Sequence, residues 1–580
     1  MLFDYLIVSS LEKQRIEQDK LCLYLGEWCF NFSEIPNNKK SIVLNYHWND
    51  RQKLYDDFSY LDNLYESVLP KVAHALNNYH QKDYPIEYWR VVIGPWLIYF
   101  IQIIFDRWFM LDLAIKKYRP KHCILLESEP NKFVPSDFND FNDFMQNDQW
   151  NEEIIRQIIF FYRDDIKIIN SKKDPKIIKR YSHREKSFKR TFFEKLVNPI
   201  FSVISVFNSN DKYFFYKPYL KKNYLILSLL LKQIPKFWIK REIDVSDIKL
   251  SRKKFRIDIN ATNKFEAILE KMISNNIPIA YLEGFNSIFD SLKDVRWPKN
   301  PNKIITSVSI WNDDFFKIWA ASKRLEGAKL IIYQHGGLYG TTKFNSVEDH
   351  EIKIADEFLS WGWIDKRNNN VRPVGNYLFR DKIKHSNKGF GLLVQQSYPR
   401  MSYILYSVVI SSQWLNYHKD QIKFFDSLPK KIQSDFVVRL YPHDQGWQQQ
   451  ERWKHFHPDV RIDNAQEKIS EKIKNCRIYI STYNATTFLE SMSFNVPTLI
   501  FWDPYFWELS YDAEVNFKKL EDVGIFHKSP QAAAKMVEKV WGDVDSWWYS
   551  EKVQEAKDNF LEIYANKSTP LSYLAKIVSS

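Results

Sequence analysis

Short apolar runs alternate with longer amphipathic stretches along most of the chain, the pattern of parallel sheets joined by helices. Runs that predict buried strands are Tyr5–Val8, Leu21–Leu25, Cys123–Leu126, Ile277–Leu282, Ile304–Val308 and Leu330–Tyr333. Later runs of the same kind are Gly391–Val394, Phe436–Leu440, Ile478–Ile480 and Thr498–Phe501. Between them, Arg51–Tyr79, Tyr88–Tyr118, Ala261–Ser274, Phe315–Glu326 and Met401–Ser427 carry helical patterns. The fold class is therefore α/β. From about 131 to 251 the pattern turns irregular, aromatic and lysine-rich, and reads as a helical insertion in the first domain. A strand ends at Val374-Gly375-Asn376, and a polar stretch from Lys382 to Lys388 precedes the next one. The domain boundary falls there, giving an N-terminal domain over 1–376, a C-terminal domain over 377–545 and closing helices over 546–580.

Composition narrows the class. A chain of 580 residues exceeds one core. With 45% hydrophobic and 27% charged residues it is neither disordered nor collagen-like nor a coiled coil. The 4 cysteines form no C-x-x-C pair, which argues against a disulfide framework and a zinc cluster and for a reduced, cytoplasmic setting. Met1–Ser10 carries Asp4 and no basic segment, so it reads as a first strand rather than a signal peptide. The most apolar stretch, Ile93–Leu113, is broken by Asp106 and Arg107, which favours a buried helix over a membrane span. The net charge of +12 points to an anionic partner: a nucleotide, a nucleic acid or an acidic membrane face. Many of the lysines lie between 167 and 254, so part of that charge belongs to the insert.

Candidate chemistry concentrates in a few segments. Gly26-Glu27-Trp28-Cys29 follows a predicted strand, and open α/β sheets bind ligands at strand C-terminal ends. Glu27 is either a general base or a loop acid that caps a helix. Asn45-Tyr46-His47-Trp48-Asn49-Asp50-Arg51 opens a helix, with Asp50 a natural N-cap. His47 there is a second candidate base. In a chain with only 14 glycines, Gln334-His335-Gly336-Gly337 directly after a strand stands out, because adjacent glycines let a ligand approach the backbone. The run from Arg477 to Thr498 ends a strand in Ser481, Thr482, Asn484, Thr486 and Thr487, starts a helix near Thr486 and carries Glu490 one turn in. Helix N-termini attract phosphate, and Glu490 is placed to reach a ribose diol. Arg439 and His443 flank another strand end and could face the same phosphates. The bland alternative is ordinary capping and a surface ion pair. The Asp543-Val544-Asp545 pair reads as loop rather than cation site, and no metal or cofactor is called for.

The 477–498 run is similar to the donor-binding segment of nucleotide-sugar glycosyltransferases of GT-B architecture, in which a Ser/Thr-rich turn and a Glu-bearing helix precede Gly-x-Pro. Here Asn495 stands in place of that glycine. Gln334-His335-Gly336 and Val374-Gly375-Asn376 resemble motifs of bacterial capsule and teichoic-acid polymer transferases. Gly26-Glu27-Trp28-Cys29, Tyr46-His47-Trp48-Asn49-Asp50-Arg51, Tyr88-Trp89-Arg90 with Gly94-Pro95-Trp96, and Gln334–Gly337 resemble, over nearly the full chain, a family of transferases encoded with bacterial surface-polysaccharide genes.

The resemblance implies two Rossmann-like domains, with the closing helices packed back on the first. It implies transfer of a glycosyl or polyol-phosphate group from a nucleotide-activated donor to a glycan or lipid-linked acceptor. In that scheme Gln334, Gly336, Gly337, Arg439, His443, Ser481, Thr482, Asn484, Thr486, Thr487 and Glu490 hold the donor. Glu27 or His47 takes the acceptor's proton, and His335 steadies the leaving phosphate. An anionic membrane surface suits the basic insert as a further partner, with the protein peripheral at the inner face. The rival reading is a non-catalytic GT-B-derived module that binds nucleic acid or membrane. No RRM, KH or OB signature supports a nucleic-acid partner.

Overall fold

The computed structural model describes residues 3–11, 20–32, 41–171 and 211–580, apart from a few positions between 237 and 247 and between 380 and 384. Much of the lysine-rich segment lies outside the described residues.

The chain forms three sheets, each wholly parallel. The first holds β1 (Tyr5–Ile7), β2 (Cys22–Tyr24), β3 (Ile42–Val43), β4 (His122–Leu126) and β5 (Lys167–Ser171) in the order β3-β2-β1-β4-β5. The second holds β6 (Tyr213–Phe215), β7 (Lys303–Thr306), β8 (Lys329–Tyr333), β9 (Glu357–Ser360) and β10 (Val371–Pro373) in simple succession. The third holds β11 (Phe390–Val394), β12 (Phe436–Arg439), β13 (Arg461–Asp463), β14 (Cys476–Ser481), β15 (Thr498–Phe501) and β16 (Phe526–His527), ordered β13-β12-β11-β14-β15-β16. In the first and third sheets the winding reverses between two adjacent strands, β1/β4 and β11/β14. Such reversal points open a crevice at the strand C-terminal ends. Register sharpens this in the third sheet: Val394 pairs with Arg439 on one side and Ser481 on the other, so three loops leave one edge at the same level.

The stretch before residue 376 thus contains two sheets where the sequence pattern predicts one domain. The 131–251 segment is not only helical. Beside helices Phe138–Phe144, Asp148–Ile159 and Asn223–Leu230 it supplies β5, which ends the first sheet, and β6, which begins the second. β5 escapes a hydrophobic reading because it is a half-exposed edge strand of sequence KIINS. The predicted strand at Ile277–Leu282 is instead a short helical turn over Ile279–Tyr281. Pro278 supplies no ladder donor, and the chain folds back so that Gly284 N donates to the Ile279 carbonyl. Of Met401–Ser427, only Gln413–Asp426 is helix.

Helix Arg51–His80 begins where the sequence predicts, with the Asp50 carboxylate accepting from the amides of Gln52 and Lys53 at 3.0 Å. It packs against helix Ile86–Leu113, which also packs on Asp314–Leu325 and so joins the first and second sheets' units. The stretch Ile86–Tyr118 is long and apolar enough to cross a membrane, but 89% of its most apolar window is buried in the fold, which marks it as a core helix. Asp106 and Arg107 within it are buried as well. Asp106 accepts from His47 Nε2 at 3.0 Å and from Arg107, while Arg107 reaches Asn151 at 2.8 Å and Ser402 at 2.9 Å. Burial opposes charge on Asp106, yet the His47 hydrogen bond and Arg107 hold its carboxyl down to about 2. One apolar core runs from Phe3 to Val578 through all three units, and a smaller one around Phe424, Phe436 and Trp453 covers the far face of the third sheet.

The closing helices, Glu551–Tyr564 and Leu571–Ser579, strap the third unit to the second. Lys557 Nζ donates to Asn495 Oδ1 at 2.9 Å, and nine residues of chain later Asn566 N donates to the Trp361 carbonyl, also at 2.9 Å, and Tyr377 Oη to the Pro570 carbonyl at 3.3 Å. Asn495 itself sits in the left-handed region, φ +59°. That explains how it stands where a glycine is expected: asparagine tolerates this conformation better than most residues.

Candidate active site

All three sheets present strand C-terminal ends to the same region. From the second, the loop after β8 reaches the loop after β14. Gly337 N donates to Thr486 Oγ1 at 3.0 Å, and Asn484 Nδ2 donates to Thr341 Oγ1 at 3.0 Å. From the first, the loop after β1 meets the loop after β11, where Arg400 Nη1 donates to Ser10 Oγ at 3.2 Å. The segments Gln334–Gly337 and Ser481–Thr487, predicted to share a site, lie together, and they touch rather than face each other across a gap.

That contact changes the meaning of the glycines. A Cβ on Gly337 would lie 2.7 Å from the carbonyl carbon of Ala485, so the glycine admits the neighbouring unit's backbone. Gln334 is fully buried, and both of its amide atoms are bonded: its Oε1 accepts from Trp361 N at 2.8 Å and Trp363 Nε1 at 2.9 Å, and its Nε2 donates to the Gly336 carbonyl at 2.7 Å. It shapes the loop and does not present an amide to a donor. The hydroxyls after β14 are engaged likewise. Ser481 donates to the Tyr483 carbonyl, Thr482 to the Val394 carbonyl, and Thr487 pairs with Tyr483 Oη at 2.9 Å. What this turn does offer is the start of helix Thr486–Ser493, whose N-cap, Ala485, has no capping side chain.

Arg439 is not poised for phosphate. Nearly buried at the end of β12, it gives Nη1 to Asp463 Oδ2 at 2.7 Å and Nη2 to the Glu467 carbonyl at 2.6 Å. The carboxylate at the end of the next strand was the missing information, since Asp463 closes β13 beside it. His443 stands exposed in the loop after β12, its ring 6.1 Å from that of Tyr441. Glu490 is half-buried and bridges units electrostatically: burial first, then this carboxylate, raises the Tyr219 phenol.

The three catalytic candidates separate. His47 is buried, stacked on Phe109 at 4.6 Å and bonded to Asp106, and burial pushes its pKa down. It holds the base of the first long helix and is closed to an acceptor. Glu27 is exposed at the end of β2, where the surrounding protein raises its carboxyl against the pull of Lys419 and Arg452 of the third unit. His335 is half-buried, and its Nε2 lies 2.9 Å from Glu351 Oε1 and 2.8 Å from Tyr339 Oη. Glu351 is fully buried; it also accepts from Trp311 Nε1 and, at 3.0 Å, from Tyr339 Oη. In the tautomer that donates from Nε2 to this carboxylate, Nδ1 of His335 carries the lone pair of a general base. Sequence reasoning missed Glu351. Asp543 and Asp545 are structural: Asp543 caps the helix Val544–Trp548, and Asp545 pairs with His385 at 3.1 Å.

The model of one family, described as "LIC12162 family transferase", matches residues 5–576. The chain belongs to this family. Membership makes it a transferase and bears out the resemblance carried by its Gly-Glu-Trp-Cys, Tyr-His-Trp-Asn-Asp-Arg and Gln-His-Gly-Gly segments. No curated protein matches the chain. Among solved structures it is similar to an α,α-trehalose-phosphate synthase (UDP-forming) from Burkholderia xenovorans in complex with glucose-6-phosphate. That likeness is 9% identical, covers 48% of this chain and 78% of that one, and has a TM-score of 0.25. It is also similar to LpCGTa in complex with UDP, at 12% identity over 67% of this chain and 95% of that one, with a TM-score of 0.28. For the family member in hand, the site rests on its own geometry: strand ends of three parallel sheets gathered at the β11/β14 reversal.

Proposed function

We propose that this transferase moves a glycosyl or polyol-phosphate group from a nucleotide-activated donor to a glycan or lipid-linked acceptor in bacterial surface-polysaccharide assembly. The observation that carries the reading is the meeting of the β1 and β8 ends with the β11 and β14 ends, because a reversal point of an open α/β sheet is where such folds bind nucleotides and phosphates. The donor lies on the third unit, its phosphate towards the uncapped start of helix Thr486–Ser493. The acceptor enters from the first and second units. Two groups there suit its deprotonation, Glu27 and the Glu351-held His335, and Glu27 is the better placed because it alone is exposed at a strand end opposite cations of the donor side. His47 serves by fixing Asp106 and the helix that follows it. The scheme gives no part to a metal or other cofactor. A cytoplasmic enzyme working at the inner membrane face fits a net charge of +12 and an acceptor on a lipid.

The deciding experiment is a thermal-shift screen of CMP, CDP, UDP and GDP, since a nucleotide that binds only the folded chain raises its melting temperature by mass action. One nucleotide should stabilise the protein and identify the donor class for a transfer assay. No shift with any of them would set the reading aside.

A further inference from the structure

Arg400 lies in the loop that leaves β11, at the reversal point of the third sheet, and its side chain is 10% exposed. Its Nη1 is held by Ser10 of the first sheet's reversal loop at 3.2 Å, with Asp148 at 4.0 Å and accepting from Ser10 Oγ at 2.9 Å. Among the described residues its Nε and Nη2 are buried and have no hydrogen-bond partner. Those two nitrogens form one edge of the guanidinium, the edge that grips two oxygens of one anion at once. Arg51 shows the use of this edge in the same molecule: its Nε and Nη2 each donate to Glu508 at 2.7 Å. Arg252 does the same to Glu283, at 3.1 and 3.2 Å.

The surroundings hold Arg400 in this pose. Gly446, at φ +83°, packs so closely that a Cβ there would come 2.6 Å from Arg400 Cδ. Arg452, fixed by Nε to the Trp447 carbonyl at 2.7 Å, is near enough for the two guanidiniums to repel, and Lys419 and Arg452 both act on Glu27. Asp148 faces Nη1, on the other side of the guanidinium, and Asp444, which acts on Arg452, accepts from the amides of Gln448 and Gln449 at 2.7 and 2.6 Å. Two buried donors on a fixed cation, with a second guanidinium beside it, call for an oxyanion.

We propose that the Nε/Nη2 edge of Arg400, braced by Ser10, is the binding site for a phosphate or carboxylate group of a substrate, at the junction of the first and third sheets. This deepens the transfer reading and rests on it for the word substrate, but its residues are not those of the Gly337–Thr486 contact or of the turn after β14. The same chemistry could come from the donor's phosphate or from an acidic group on the acceptor.

The test is titration of the full chain with inorganic phosphate at constant ionic strength, read by calorimetry. Wild type should bind saturably. Arg400→Lys keeps the charge and loses the two-pronged edge, so affinity should fall roughly ten- to a hundredfold. Ser10→Ala, which removes the brace and leaves the fold's core alone, should fall less but measurably. UDP displacing the phosphate would assign the oxyanion to the donor; UDP binding beside it would assign it to the acceptor. No saturable phosphate binding by wild type would mean the edge holds water alone and would overturn the proposal. Unchanged affinity in folded Arg400→Lys would do the same. Should Arg400→Lys not fold, unchanged affinity in Ser10→Ala overturns it. Phosphate binding is read without any transfer assay, so a failed transfer reading and a failed anion site give different results.

Discussion

Gly337 and Thr486 join two sheets through a single hydrogen bond, amide to hydroxyl at 3.0 Å, with no room for a side chain between them. The loop after β8 is therefore seated on the start of helix Thr486–Ser493. Gly337→Ala would press a methyl group against the Ala485 and Thr486 backbone, and neither side is a flexible side chain that could give way. Overpacking of this kind costs about 1–3 kcal/mol. A lower denaturation midpoint than wild type is the expected result, and an unchanged one would mean the two loops part freely.

Arg439 separates a structural from a ligand-binding role. Removing the guanidinium strips the shielded Asp463 carboxylate of its 2.7 Å partner and leaves it Lys472 at 3.9 Å and the Ala465 amide at 3.0 Å, a loss of about 1–3 kcal/mol. Arg439→Ala should lower stability strongly, and Arg439→Ala/Asp463→Ala should recover part of that loss. A variant as stable as wild type but with weakened nucleotide binding would return Arg439 to the donor site.

What the sequence shows and what it hides differ by the range of the interaction. β11, β12, β14 and β15 are legible because each is a short buried apolar run bounded by polar residues, and the Asp50 cap is legible because its partners are two and three residues on. β5 and the short β9 carry too little apolar pattern to be seen, so the second sheet merges with the first in a one-dimensional reading, although the end of β10 is legible at Val374. The site divides the same way. Strand-end loops are predictable, but the partners that decide each residue's role are far along the chain: Trp361 and Trp363 for Gln334, Glu351 for His335, Asp463 for Arg439, Ser10 for Arg400. A lone arginine after a strand has no signature that marks its unused edge.

Stability should fall in mild acid. His350 and His418 are buried and neutral, their pKa values pushed down to about 3 by burial, and His80 is pushed to about 4. The unfolded chain binds these protons at about 6.5, so stability is full above that value and is lost as pH falls below it. By pH about 5 each contributes a loss of about 2 kcal/mol. Melting temperatures measured between pH 7.5 and 5 should drop, and His418→Gln should flatten the slope. A melting temperature independent of pH over this window would show that these side chains take up protons in place.

The base is decided by pairing Glu27 with His335. Both lie at strand C-terminal ends on the acceptor side, but only Glu27 stands exposed opposite Lys419 and Arg452. Its raised carboxyl pKa moves it towards the range in which a general base works best near neutrality, and Glu27→Gln keeps the shape while losing the basicity. Turnover should fall roughly 10²–10⁴-fold with nucleotide affinity nearly unchanged. His335→Gln removes the imidazole but leaves Glu351 its bonds from Trp311 and Tyr339, so the fold should survive and the fall in turnover should be smaller. His47→Ala is the structural control: it strips Asp106 of a buried partner, and its effect should appear as lost stability rather than lost turnover in the molecules that remain folded. Full turnover in Glu27→Gln beside collapse in His335→Gln would transfer the base to the imidazole. The pH–rate profile then distinguishes them again, because a carboxylate base leaves the acid limb at a lower pH than a histidine does.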